Sequence, residues 1–336
     1  MATKNLLVPG TGGITFQDNL GNDLGYPVKL RLGVISGGLI GKSTAELQQL
    51  LSMSHVPGQW APAQTSLSPG VSIEPGHVLQ VAYNQIPTEF ENFLYDWRAD
   101  LRFNAQRLCD FLRKTPAGTK WNLVGHSQGG LLIILASKLM DTHDEFSKYV
   151  QKVFLVAVPI AGTVNAALAL LKGDQVGDDA APVFKSIVRT WPALYQMMPA
   201  WPMVYNDDKT PVKPQFQHFN PSGWTGHADI SADFLTRMQE TQERLKNPLS
   251  RMVGVETWLM MARNRNTVFA LERKNSKLTP NTIATQQGDG LVPFLRTVKW
   301  IGEHILPRVI DYESGVNEHA FLLDDPFVVG QIKKLL

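Results

Sequence analysis

Residues 121–140 read WNLVGHSQGGLLIILASKLM, and no other stretch constrains the fold as strongly. Trp121–Val124 is an apolar run of strand character, and Gln128–Met140 is apolar on nearly every side, the mark of a buried helix. Between them, Gly125-His126-Ser127-Gln128-Gly129 matches G-x-S-x-G, a sharp turn with a serine at its tip. Glycines stand two residues either side because strand and helix cross there too closely for side chains. Strands that alternate with helices along the chain argue for a parallel sheet covered on both faces. A plain turn serine is the alternative, but the flanking strand and helix favour a nucleophile.

The rest of the chain fits that frame. Leu6–Val8 reads as a strand ending at Pro9 and Gly10, and residues 52–76, rich in Ser, Pro and Gly, as a long surface loop. His77–Tyr83 alternates like a strand, and Trp97, Leu101, Leu108 and Leu112 recur at helical spacing. Val153–Val158 is β-branched and strand-like. From 161 to 254 the pattern loosens into a stretch rich in Pro, Trp and Met. Strand patterns return at Thr267–Leu271, around Ile283 and at Arg308–Tyr312. The expected architecture is one α/β core, residues 1–160 and 255–336, split by a cap of residues 161–254.

A serine hydroxyl attacks only when a base takes its proton, so a histidine is required. Partners of such an elbow follow in the order Ser, acid, His. That order disfavours His55, His77 and His143. His126 adjoins the serine but points away from it, as an elbow-shaping residue would. His218 and His227 fall in the expected cap, and His304 lacks a strand-to-loop setting. His319, in SGVNEHAFLL between a strand and the terminal helix, is the expected base. Asp289, in QQGDGLVP, is the expected acid that orients it, against the alternative of a plain Asp-Gly turn. Asp311 lies within an expected strand, and Glu318 cannot easily reach its neighbour's Nδ1. Developing oxyanion charge needs donors: the Gln128 N–H at a helix start, and the glycine-rich LVPGTGG loop, where Thr11 could add a hydroxyl.

Composition sets the outer bounds. The 336 residues carry 32 basic and 30 acidic side chains, net +2, with no basic stripe pointing to nucleic acid. The single cysteine, Cys109, lies in a helical stretch as an apolar filler, excludes an internal disulfide and fits a reducing compartment. No signal peptide and no apolar run long enough to span a membrane are evident, so a cytoplasmic protein is expected, with transient membrane-surface contact open to it. SGGLIGKST, residues 36–44, lacks the first glycine of a phosphate-binding loop and reads as a loop entering a helix at Thr44 or Ala45. Neither a cofactor nor a metal is expected.

The motifs LVPGTGG, NFLYDWRADL, LVGHSQGGLL, VPIAGT, WPALYQMMP and GDGLVP occur in this order. In that order they resemble the lecithin:cholesterol acyltransferase-like family, which includes phospholipase A/acyltransferases. VPGTG and SQGGL are also similar to triacylglycerol lipases. The resemblance implies an α/β-hydrolase fold with an inserted lid and a Ser127, Asp289, His319 triad. It also supports Thr11 and Gln128 at the oxyanion. It further implies a serine esterase or acyltransferase for hydrophobic acyl esters, glycerolipids or phospholipids. Members are typically exported and carry a disulfide-closed lid. With no signal peptide evident and one cysteine, a lid here is expected to be held by packing, and neither extracellular or lysosomal life nor sterol as acceptor is carried over. Trp191, Tyr195, Met197, Met198 and Trp201 are candidates to line an acyl pocket, with simple packing the alternative for each. A small-ester hydrolase or thioesterase on the same residues, a non-catalytic binding module, and a membrane-damaging effector stay open as alternatives.

Overall fold

The computed structural model describes residues 2–25, 42–142, 144–173, 182–263, 265–285, 287–301, 309–313 and 319–336. His143, His304, Glu318 and residues 36–41 lie outside them, as does the side chain of Asp311.

Six described strands form the central sheet, in the order 309–313, 256–263, 150–156, 119–126, 2–8 and 91–92, and every adjacent pair is parallel. Side chains alternate faces along each strand, and both faces are buried. Leu6, Val8, Leu123, Leu155 and Leu259 join one apolar cluster with helices Leu101–Arg113 and Gln128–Leu139. Leu7, Val124, Phe154, Val156 and Met260 join the other, closed by Leu322, Leu323, Val328 and Ile332. Burial on both faces is why these strands read as nearly continuous apolar runs. The fold is an α/β-hydrolase: a mostly parallel sheet with helices on both faces.

Local caps set several helix ends. Asp100 accepts from the Arg102 N–H at the start of Leu101–Arg113, and Ser43 with Glu46 forms a capping box on Thr44–Leu51. The helix therefore starts at Thr44, one of the two expected positions.

Two expected elements take other forms, and one strand appears where none was expected. His77–Tyr83 is not one strand: strand Ile73–Val78 ends there, and Gln80–Tyr83 is a helical turn, because the Leu79 N–H bonds back to the Gly13 carbonyl. Glu256–Arg263 is a sheet strand that no β-branched pattern announces. Thr267–Lys274 stands outside the central sheet, forming a hairpin with Lys277–Thr285 and pairing with Val204–Asn206. The expected cap thus shares a sheet with residues beyond 254. Its helices Val164–Lys172 and Ala232–Leu245 pack through Leu170 and Met238 into the same apolar cluster as the core.

Buried imidazoles shape the acid stability. Burial holds His218 down to about 4 and His126 down to about 3, against an ordinary 6.5. Below 6.5 the unfolded chain binds protons that these folded sites refuse, so their contribution is present above that pH and lost as pH falls toward 4. The urea midpoint should drop over this window. His218→Gln, which keeps a donor for the Pro199 carbonyl at 2.8 Å, should drop less. An equal drop in both proteins would show that His218 does not contribute.

Candidate active site

The turn between strand Thr119–His126 and helix Gln128–Leu139 holds Ser127 at φ 51° and ψ −123°, a region L-residues rarely occupy. The glycines either side are required by contact. A Cβ on Gly125 would meet Ile133 Cδ1 at 2.6 Å and Gly130 Cα at 2.7 Å, and one on Gly129 would meet the Val8 carbonyl oxygen at 2.0 Å. The strained turn lifts the serine hydroxyl above the carboxyl ends of the strands.

There it meets the two expected partners. His319 Nε2 lies 2.8 Å from Ser127 Oγ, and His319 Nδ1 lies 2.8 Å from Asp289 Oδ2. A proton on Nδ1 donates to the carboxylate and leaves Nε2 free to accept from the serine. The other carboxylate oxygen accepts the N–H of Leu291 at 2.9 Å and of Val292 at 2.7 Å, which fixes the plane of the acid. The His319 N–H also reaches the Asp289 carbonyl at 3.3 Å. Ser127, Asp289 and His319, distant in sequence, therefore form one hydrogen-bonded line, and all three are buried.

Thr11 and Gln128 flank the serine. No partner among the described residues takes the backbone N–H of either. Their side chains bind each other: the Thr11 hydroxyl donates to Gln128 Oε1 at 2.6 Å, and Gln128 Nε2 donates to the Trp97 carbonyl at 2.9 Å. The Thr11 hydroxyl is thus committed to holding the loop, and its backbone N–H faces the site without a partner among the described residues.

The Tyr95-Asp96-Trp97-Arg98 motif explains how that loop is held. Tyr95 donates to the Pro9 carbonyl at 2.6 Å and the Trp97 indole to the Ile14 carbonyl at 3.0 Å, so the motif grips both ends of the glycine loop. Arg98, fully buried, clasps Asp96 through two bonds of 3.0 and 2.7 Å and donates to the Leu51 carbonyl. Buried and paired, neither charge is left uncompensated.

A cavity opens over the serine, with Leu79, Ala82, Pro159, Ala166, Leu194 and Met197 in its apolar wall. Of the five aromatic and Met candidates, only Met197 lines it. Trp191 donates to the Leu51 carbonyl, Tyr195 to the Arg189 carbonyl, and Trp201 to the Phe269 carbonyl. Met198 is fully buried. These four pack the interior, because an indole or phenol in a dense core is anchored by its polar atom to a nearby carbonyl. Leu194 and Tyr83 line the cavity without any local sequence signal to announce them. Among the described residues, no cluster of His, Cys, Asp or Glu could hold a metal, and no helix is long and apolar enough to cross a membrane.

Fold and site together define an α/β-hydrolase. The chain belongs to the lecithin:cholesterol acyltransferase family, whose model matches residues 89–287, more than half its length. Membership makes it an ester hydrolase of the lipid-acting kind. Among solved structures, a chain of the Tle4–Tli4 complex is similar over 99% of this chain and 98% of its own, at 12% identity and a TM-score of 0.62. The Bacillus licheniformis lipase BlEst2 in propeptide form is similar over 74% of this chain and 44% of its own, at 14% identity and a TM-score of 0.36. No curated protein sequence matches.

Proposed function

We propose that the protein is a serine esterase that cleaves, or transfers, the acyl groups of glycerolipids or phospholipids. The observation that carries this reading is the line Ser127–His319–Asp289, with two links of 2.8 Å, beneath an apolar wall and beside two unclaimed backbone N–H groups. Ser127 Oγ attacks the ester carbonyl as His319 Nε2 takes its proton, and Asp289 holds the imidazolium that forms. The carbonyl oxygen, now negative, takes the N–H groups of Thr11 and Gln128, the latter at the positive end of a helix. Collapse of the tetrahedral adduct expels the alcohol, protonated by His319. Water or a second alcohol, activated by the same imidazole, then releases the acyl group from the serine.

The apolar wall favours a fatty acyl chain over a polar acyl group, since each buried CH₂ contributes about 0.8 kcal/mol. The test is a membrane-lipid extract incubated with the protein or with its Ser127→Ala form and read by mass spectrometry. Fatty acids and lysolipids, or newly acylated alcohols, should accumulate only with the unmodified protein. Turnover confined to short soluble esters would replace this reading with a small-ester hydrolase. No turnover, and no labelling of Ser127 by a fluorophosphonate, would replace it with a binding module.

A further inference from the structure

We propose that Tyr83 and His126 are positioning residues that lock the oxyanion loop and the histidine loop to each other through one directed chain of hydrogen bonds. The inference deepens the esterase reading and rests on it for the meaning of the two loops.

The chain runs beneath the serine. The Gly10 N–H donates to Tyr83 Oη at 2.9 Å, Tyr83 Oη lies 3.1 Å from His126 Nδ1, and His126 Nε2 lies 2.9 Å from the His319 carbonyl oxygen. Its two ends determine its direction. An amide N–H can only donate and a carbonyl oxygen can only accept, so His126 carries its proton on Nε2. Its Nδ1 is then an acceptor, and the Tyr83 hydroxyl is the donor that fills it. All three bonds agree with one another and with a neutral imidazole.

Each end is tied to the chemistry. Gly10 immediately precedes Thr11, and its own backbone is packed so closely on the elbow that a Cβ would stand 2.9 Å from Ser127 Cβ. The loop then bends around the phenol, for a Cβ on Gly13 would stand 2.4 Å from Tyr83 Oη. At the other end, the carbonyl belongs to His319 itself. Tyr83 and His126 are both buried, 3% exposed each, so little water competes for these bonds. Burial pushes the phenol well up and the His126 imidazole down to about 3, so both stay neutral at ordinary pH.

The groups facing His126 are Tyr83, His319 and Asp289. A proton on His126 would put a second cation beside the imidazolium that His319 forms, their ring centres being 5.4 Å apart. Neutrality of His126 thus serves the base as well as the bond. Packing alone does not account for the hydroxyl, since a phenylalanine at 83 would fill nearly the same volume.

The test uses Tyr83→Phe, His126→Gln, His126→Ala and the double variant Tyr83→Phe/His126→Gln, on a short p-nitrophenyl ester. Misplacing a reacting group by about 1 Å can cost about 100-fold in rate. Tyr83→Phe should therefore lower kcat between about 10- and 100-fold, with KM held within about threefold. It should also lower the melting temperature by a few degrees, since the buried Gly10 N–H and His126 Nδ1 lose their partner. His126→Gln, whose amide can still donate to the His319 carbonyl, should lose less than His126→Ala. The double variant should lose little more than the worse single one, since both cut one chain. Unchanged kcat in Tyr83→Phe, a rise in KM alone, or fully additive losses would overturn the proposal. A ¹⁵N-histidine NMR spectrum tests it without turnover: His126 should show the Nε2–H tautomer, and Tyr83→Phe should move the His319 ring resonances. Resonances that stay put overturn the chain of bonds. An unmodified protein that neither labels with a fluorophosphonate nor turns over ester overturns the esterase reading instead.

Discussion

Ser127→Ala should lower ester turnover by about 10⁴-fold or more while leaving the melting temperature within about 2 °C. The two halves of this expectation have separate physical causes. Turnover needs an oxygen that can form and break an acyl bond, and alanine has none. The flanking donors and binding surface remain, so a small residual rate above water is expected. Stability is insensitive because the hydroxyl's hydrogen bond is to His319 Nε2, a group at the cavity that water can reach once the oxygen is gone. The backbone strain at φ 51° is the same for alanine as for serine. Ser127→Gly relieves that strain and should melt a few degrees above Ser127→Ala, equally inactive. Initial rates on a soluble ester, fluorophosphonate labelling and calorimetry check all three proteins together. Wild-type turnover in Ser127→Ala would remove Ser127 from the reaction. Equal melting of the alanine and glycine forms would show that the turn stores no strain.

What could be read from the chain was whatever depends on local chemistry. The strand, glycine-flanked serine and apolar helix around 125–140 announce themselves, because close crossing demands glycine and burial demands an unbroken apolar run. Asp289 and His319 were reachable because order along the chain and strand-to-loop settings leave few contenders. Other features depend on contacts distant in sequence. Glu256–Arg263, ETWLMMAR, is poor in β-branched residues and becomes a strand because it lies between 150–156 and 309–313. Trp191, Tyr195 and Trp201 suggested a pocket by their bulk, yet each sends its polar atom to a carbonyl in the interior. Tyr83 gave no sign at all, since its partner Gly10 lies 73 residues away.

The Tyr83 contact is one of several from distant parts of the chain that hold the glycine loop. Tyr95 and Trp97 hold the two ends of the glycine loop, Gln128 binds Thr11 across it, and Tyr83 takes the Gly10 N–H. The loop has no regular secondary structure of its own from Pro9 to Gly13. Donors for a developing charge work best when they need not reorganise. Four side chains from three other parts of the chain supply that rigidity.

The second large effect is expected at Gly129. Gly129→Ala should cost about 4 kcal/mol or more of stability and abolish turnover, even though alanine is the better helix former. The added carbon would stand 2.0 Å from the Val8 carbonyl oxygen and 2.5 Å from that of Pro9, both backbone atoms. Val8 ends a strand paired on one side with 119–126 and on the other with 91–92, so it cannot yield alone. Pro9 leads directly into the loop that carries Gly10 and Thr11. Relief of the clash must therefore move either the central sheet or the glycine loop. Two other glycines provide the comparison. A Cβ on Gly130 would meet Val158 Cγ2 at 2.1 Å, an atom of one side chain rather than of the sheet backbone. Gly130→Ala should therefore cost less than Gly129→Ala, even though a buried, β-branched valine yields only by shifting. Gly290, at φ 95° with no atom within 4 Å, faces only backbone strain, and its alanine form should lose about 1–2 kcal/mol. Urea midpoints of the three variants should fall in the order Gly129 lowest, then Gly130, then Gly290. A Gly129→Ala protein that unfolds at the wild-type midpoint would mean that the elbow and the Val8–Pro9 backbone are not in contact. A Gly290 variant that unfolds first would put the greater constraint in the turn after Asp289.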